Sequence, residues 1–80
     1  MNDESKEIIL HQIRLARTLF LKHKDKEEYT ETNAWYYLGV FDALFGIYFE
    51  DEDAGFIYNE DENLTEYLIR ILQEFFQQIN

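Results

Sequence analysis

AWYYLGVFDALFGIYF, residues 34–49, is a run of sixteen residues in which Asp42 is the sole charge. Trp35, Leu38, Phe41, Leu44, Phe45 and Tyr48 recur at intervals of three and four, so the period is helical. Apolar side chains nevertheless lie on nearly every face, the pattern of a helix enclosed by protein. The spacing predicts a central helix over about 28–49. Gly39, Ala43 and Gly46 share one side of it, where a neighbouring helix can approach closely, although each interior glycine costs about 1 kcal/mol against alanine. Helical spacing prevents Trp35, Tyr36 and Tyr37 from all pointing inward. Trp35 reads as core, and Tyr36 as part of a binding surface, because Trp and Tyr concentrate at interface anchors. The run is shorter than the roughly 20 apolar residues that span a bilayer, and Gly39, Asp42 and Gly46 break it.

Toward the N-terminus, Ile9, Ile13, Ala16 and Phe20 form a helical stripe that Leu10, Leu19 and Leu21 widen, predicting a helix over about 4–23. Asp3 and Glu4 suit its positive end, and Lys22, His23 and Lys24 its negative end. Two signals compete to open the central helix: Asp25-Lys26-Glu27-Glu28, spaced as a capping box, and a later N-cap at Thr30 or Thr32. Toward the C-terminus, Asn63-Leu64-Thr65-Glu66 is a second capping-box pattern. It opens a stripe of Leu64, Leu68, Ile71, Leu72, Phe75 and Ile79, predicting a helix over about 63–78. The expected fold is all-α, one small domain over 1–80, either a three-helix bundle or a helical hairpin with a third packed helix.

Between the last two helices lies an acidic connection, 50–62, with seven carboxylates and no base. Phe56, Ile57 and Tyr58 sit inside it, either folding back or facing a partner. The charge of the whole chain is divided: residues 1–24 carry three acids and five bases (+2), whereas residues 25–80 carry fourteen acids against Lys26 and Arg70 (−12), for a net −10. Such a surface repels a phosphate backbone, so direct nucleic-acid binding is disfavoured, and basic proteins and cations are the favoured partners. At 80 residues, folding hides only about 60–65% of the unfolded chain's surface. Against that, 46% of residues are hydrophobic and 18% aromatic, so an exposed apolar patch is expected, most simply a homodimer surface. Cysteine is absent, which excludes disulfides, thiolate nucleophiles and Cys-ligated zinc. The N-terminus lacks the basic and apolar regions of a signal peptide, and a cytoplasmic protein is expected.

Three constellations bear on chemistry. With Glu50 as position 1, the acidic connection resembles an EF-hand calcium loop over about twelve residues: Gly55 falls at the turn, Ile57 at position 8, and Glu50, Glu52, Phe56 (backbone) and Asp61 at ligand positions. It departs from that family at Glu50 itself, at Ala54 in a ligand position, and at Asp61 where a bidentate Glu closes the site. Glu27-Glu28-Tyr29-Thr30-Glu31 with Glu50-Asp51-Glu52-Asp53 looks like the E-E-x-x-E and E-x-x-D carboxylates of the all-α nucleotide pyrophosphohydrolases, which hold magnesium against phosphates. The helix between them separates the two clusters by roughly 25–35 Å. Finally, Asp42 in an apolar run pairs, protonates or faces water. Arg70 would lie level with it in an antiparallel hairpin turning near residue 56, Arg14 is the candidate from the first helix, and Arg70 also has Glu66 and Glu74 as ladder neighbours. His11 and His23 read as surface residues.

No motif is specific enough to fix a family. The favoured reading is a non-enzymatic, dimeric interaction protein that binds a basic protein surface as a regulator, adaptor or inhibitor, in one version as a nucleic-acid mimic of the kind small phage proteins use. Its partner-binding residues would be Tyr36, Glu50, Asp51, Glu52, Asp53, Phe56, Tyr58, Glu60, Asp61 and Glu62, with no cofactor. A divalent-cation protein using Glu50, Glu52, Phe56 and Asp61 is the alternative, and a pyrophosphohydrolase-like metal enzyme the second.

Overall fold

The computed structural model describes residues 1–51 and 61–79, and among them the chain forms three α-helices and no strand: α1 (Asp3–His23), α2 (Glu31–Phe49) and α3 (Leu64–Ile79). The all-α bundle expected from the apolar periods is the fold. Each start is fixed by a cap. The Asn2 side chain accepts the Ser5 N–H at 2.8 Å, and Asn63 Oδ1 accepts the Glu66 N–H at 2.8 Å. Of the two competing signals before α2, the later one prevails: Thr30 Oγ1 accepts the Asn33 N–H while Asn33 Oδ1 accepts the Thr30 N–H, satisfying two orphan donors reciprocally. Residues 24–29 are instead a turn, in which Lys26 donates to the His23 carbonyl and Tyr29 to the Lys26 carbonyl. α2 therefore starts three residues later than the periodicity predicts. It ends at Glu50, whose left-handed backbone (φ 55°) lets its N–H reach the carbonyls of α2's last turn.

The core is assembled unequally. α1 contributes Leu10, Ile13 and Phe20, α2 contributes Ala34, Phe41 and Phe45, and α3 contributes Leu64, Tyr67, Leu68, Ile71, Leu72 and Phe75. A column of rings runs through it: Tyr37 stacks on Phe41, Phe41 on Phe45, and Phe45 on Phe75, while Phe20 meets Phe41 edge-on at 6.1 Å. The Arg17 guanidinium covers the Phe76 ring at 4.0 Å and ties α1 to α3. No described helix is long and apolar enough to cross a membrane.

The direction of α3 is not that of the antiparallel hairpin in which Arg70 would lie level with Asp42. Tyr29 Oη lies 2.7 Å from Thr65 Oγ1, so the N-terminal ends of α2 and α3 adjoin. At the other end, Tyr48 and Phe49 both pack against Phe75, so the C-terminal ends adjoin as well. α2 and α3 run the same way, and α1 runs against both. The physical reason lies in the length of the connection: antiparallel neighbours are joined by about 2–8 residues, whereas residues 50–63 reach far enough to return along a helix of about 28 Å.

Several burial expectations also change. Trp35 is 58% exposed, because Ala34, Tyr37 and Phe41 hold the inward side of α2. Leu19 and Leu21 face outward rather than widening the buried stripe of α1. His23 is half-buried, not on the surface: its Nδ1 lies 3.0 Å from Tyr37 Oη, and its ring packs edge-on against Tyr29 and Tyr37. His11 is exposed, as expected. α2 touches both other helices, but one of its apolar faces is left uncovered by the described residues.

Candidate interaction surfaces

The carboxylates flanking the acidic connection separate to opposite ends of α2. Glu50 and Asp51 sit at its C-terminal end, where the Glu50 carboxylate pairs with the Met1 amine. Its hydrogen bond to that ammonium holds Glu50 below the usual carboxylate range. Asp61 and Glu62 lead into α3 beside the N-terminal end of α2. Glu50 and Asp61, the first and last oxygens of the EF-hand-like reading, therefore stand about one helix length apart, on the order of 28 Å. Glu52, Asp53, Phe56, Tyr58 and Glu60 of the expected binding set, together with Ile57, lie outside the described residues. Glu27, Glu28 and Glu31 are likewise a helix length from Glu50 and Asp51. Among the described residues no group of three His, Asp or Glu side chains is placed to hold a metal ion.

Glu62 is not a free carboxylate. Arg70 clamps it through Nε at 3.1 Å and Nη2 at 2.6 Å, and gives Nη1 to Glu74 Oε1 at 3.1 Å. These two carboxylates raise the already high pKa of the guanidinium further. Of the two ladder neighbours expected for Arg70, Glu74 is engaged, while Glu66 turns to the Asn63 amide at 3.2 Å. Asp42 forms no ion pair among the described residues, with Arg70 or with Arg14. It sits open to solvent on the apolar shoulder of α2, and partial loss of hydration raises its pKa. Burial raises Tyr67 as well, with the Asp42 charge adding to the effect.

The shared direction of α2 and α3 creates an acidic end. Exposed Glu27 and Glu28 of the α1–α2 turn and Glu31 at the start of α2, beside exposed Lys26 and an Asp25 paired with Lys24, adjoin the segment that carries Asp61 and Glu66 through the Tyr29–Thr65 contact. Between them lies a groove lined by Tyr29, Glu31, Trp35 and Thr65, with the exposed indole of Trp35 on its wall. Neither acidic segment reveals this from sequence, because they are thirty residues apart. The signal that would have joined them is the length of the connection.

A second surface lies on the side of the α1–α2 pair away from α3. Ile8, Leu15 and Leu19 of α1 are 58, 47 and 62% exposed, and Tyr36 and Ile47 of α2 are 69 and 49% exposed. Gln12, Leu15, Val40 and Ala43 line one shallow groove between them. Only Tyr36 of this set was expected at a surface. The readable signal was spacing: 8, 12, 15, 19 and 36, 40, 43, 47 each step by four, three and four, a heptad pattern distinct from the buried stripe.

No protein-family model matches the chain, and neither a curated protein nor a solved structure matches it.

Proposed function

We propose that the chain is a small acidic, non-enzymatic interaction module that docks on a basic protein surface as a regulator, adaptor or inhibitor. The observation supporting this reading is the acidic end, where Glu31 and Trp35 line one groove with the start of α3 and further exposed carboxylates flank it in the sequence. Carboxylates around an aromatic group provide the usual division of labour at an interface. Charge steers the encounter and selects the partner's sign, and the ring supplies the desolvated centre. The net charge of −10 extends the attraction beyond contact distance at low salt.

Trp35, the single tryptophan, reports on its own site. Titrating an arginine-rich peptide is expected to change its emission saturably, with affinity falling at least tenfold from low to physiological salt. Glu28→Lys with Glu31→Lys weakens binding strongly, whereas the same charge change at Asp3 and Glu7, at the far end of α1, has a smaller effect. Silent emission, or an affinity indifferent to salt, refutes the reading.

A further inference from the structure

We infer that the uncovered α1–α2 face is closed by a second copy of this chain, packed antiparallel about a two-fold axis perpendicular to the helices. The inference is independent of the acidic end, which lies elsewhere on the surface.

The face itself excludes a charged partner. Ile8, Gln12, Leu15, Leu19, Tyr36, Val40, Ala43 and Ile47 include no ionisable group at neutral pH, in a chain whose net charge is −10. α2 is apolar on a face that none of the described residues covers: a methyl group added at Gly39 would meet no described atom within 4 Å. The small residues at 39 and 43 therefore admit a helix from outside. Two helices side by side span roughly 20 Å, and the stretch from Glu4 to Lys22 is roughly 27 Å long. The patch thus reaches several hundred Å², the scale of the roughly 800 Å² that each partner contributes to a standard interface.

The pattern is also self-complementary. Reversing α1 against itself sets Ile8 opposite the partner's Leu19 and Gln12 opposite the partner's Leu15. Reversing α2 sets Tyr36 opposite the partner's Ile47 and Val40 opposite the partner's Ala43, large against small. The two midpoints, between Gln12 and Leu15 and between Val40 and Ala43, meet in a single groove, so one axis serves both helices. The rim agrees in charge. Glu4 and Lys22 are eighteen residues apart, five whole turns, and project beside the stripe at its two ends. The two-fold brings each Glu4 to the partner's Lys22, twice per dimer.

Light scattering on the full chain at tens of micromolar is expected to give twice the 9.8 kDa chain mass. Leu19→Glu raises the dissociation constant roughly 100-fold or more, because an isologous interface then buries two unpaired charges. Its helicity by circular dichroism stays unchanged, since Leu19 is outside the core. Glu4→Lys weakens the dimer and Glu4→Lys with Lys22→Glu restores it, a rescue specific to the antiparallel register. A 9.8 kDa species overturns the inference, whether the face is then covered by the chain's own residues 52–60 or by a different protein. So does a Leu19→Glu variant that keeps the double mass. Neither result touches the salt-dependent binding at Trp35, which is read from fluorescence.

Discussion

The rings of Phe45 and Phe75 lie nearly flat on one another, centroids 4.5 Å apart and planes 9° from parallel, and join α2 to α3 at the centre of the core. Tyr48, Phe49 and Phe76 meet the same Phe75 ring edge-on, so one side chain gathers these four aromatic neighbours. Phe75→Ala is expected to destabilise the fold by about 3–5 kcal/mol. Small domains hold only about 5–15 kcal/mol in total, so urea unfolding followed by circular dichroism should show the variant at or near the edge of its folded range. A loss below about 1 kcal/mol would mean that the ring is not enclosed.

The hydrogen bond between Tyr29 and Thr65 reports the relative direction of α2 and α3. A double-mutant cycle with Tyr29→Phe and Thr65→Val is expected to give a coupling of about 0.5–1.5 kcal/mol. Independent effects of the two substitutions would place these helix ends apart.

Tyr37 and Tyr67 ionise above the ordinary tyrosine value of 10.0, in both cases chiefly because burial disfavours the phenolate. Below pH 10 both are neutral, folded or unfolded, and contribute no pH dependence. Above it the unfolded chain ionises first, so stability falls as pH rises through the raised folded values. A spectrophotometric titration of the six tyrosines should show a later component that merges with the rest in urea.

Asp42 presents the same sign at acid pH. Its folded pKa lies above 3.8 because of lost hydration, so its charge opposes folding above the folded value, and the penalty fades as pH falls to 3.8. Asp42→Asn is expected to stabilise the protein at pH 7 by less than about 0.5 kcal/mol, as suits a solvent-screened position. Below pH 3.8 the gain disappears. A gain independent of pH would assign it to the side-chain shape instead of the charge.

Helix number and extent were readable because they depend on local chemistry. The Asn63 cap and the six-residue stripe of α3 each specify a boundary or a face within one or two turns, and Leu64, Leu68, Ile71, Leu72 and Phe75 are buried as the stripe requires. Which side of α2 turns inward was not readable: with Trp35, Tyr36 and Tyr37 consecutive, the sequence favours no direction, and Phe20 and Phe75 in other helices settle it. Trp35 was lost from the core for that reason. His23 was misjudged because its partners, Tyr29 and Tyr37, come to it only after the chain has turned. The acidic end depended on tertiary direction, which no local pattern encodes.

The order of assembly follows from the two unequal connections. The seven residues between α1 and α2 close a small loop, and these helices can pair as soon as both exist; the fourteen between α2 and α3 make a doubled loop, at an entropic cost of only about 0.6 kcal/mol more. That modest barrier belies what waits behind it, since α3 supplies six of the twelve described core residues. A chain that has emerged only as far as Asn63 is a hairpin with oily flanks on both sides, and it is the arrival of α3 that seals one of them.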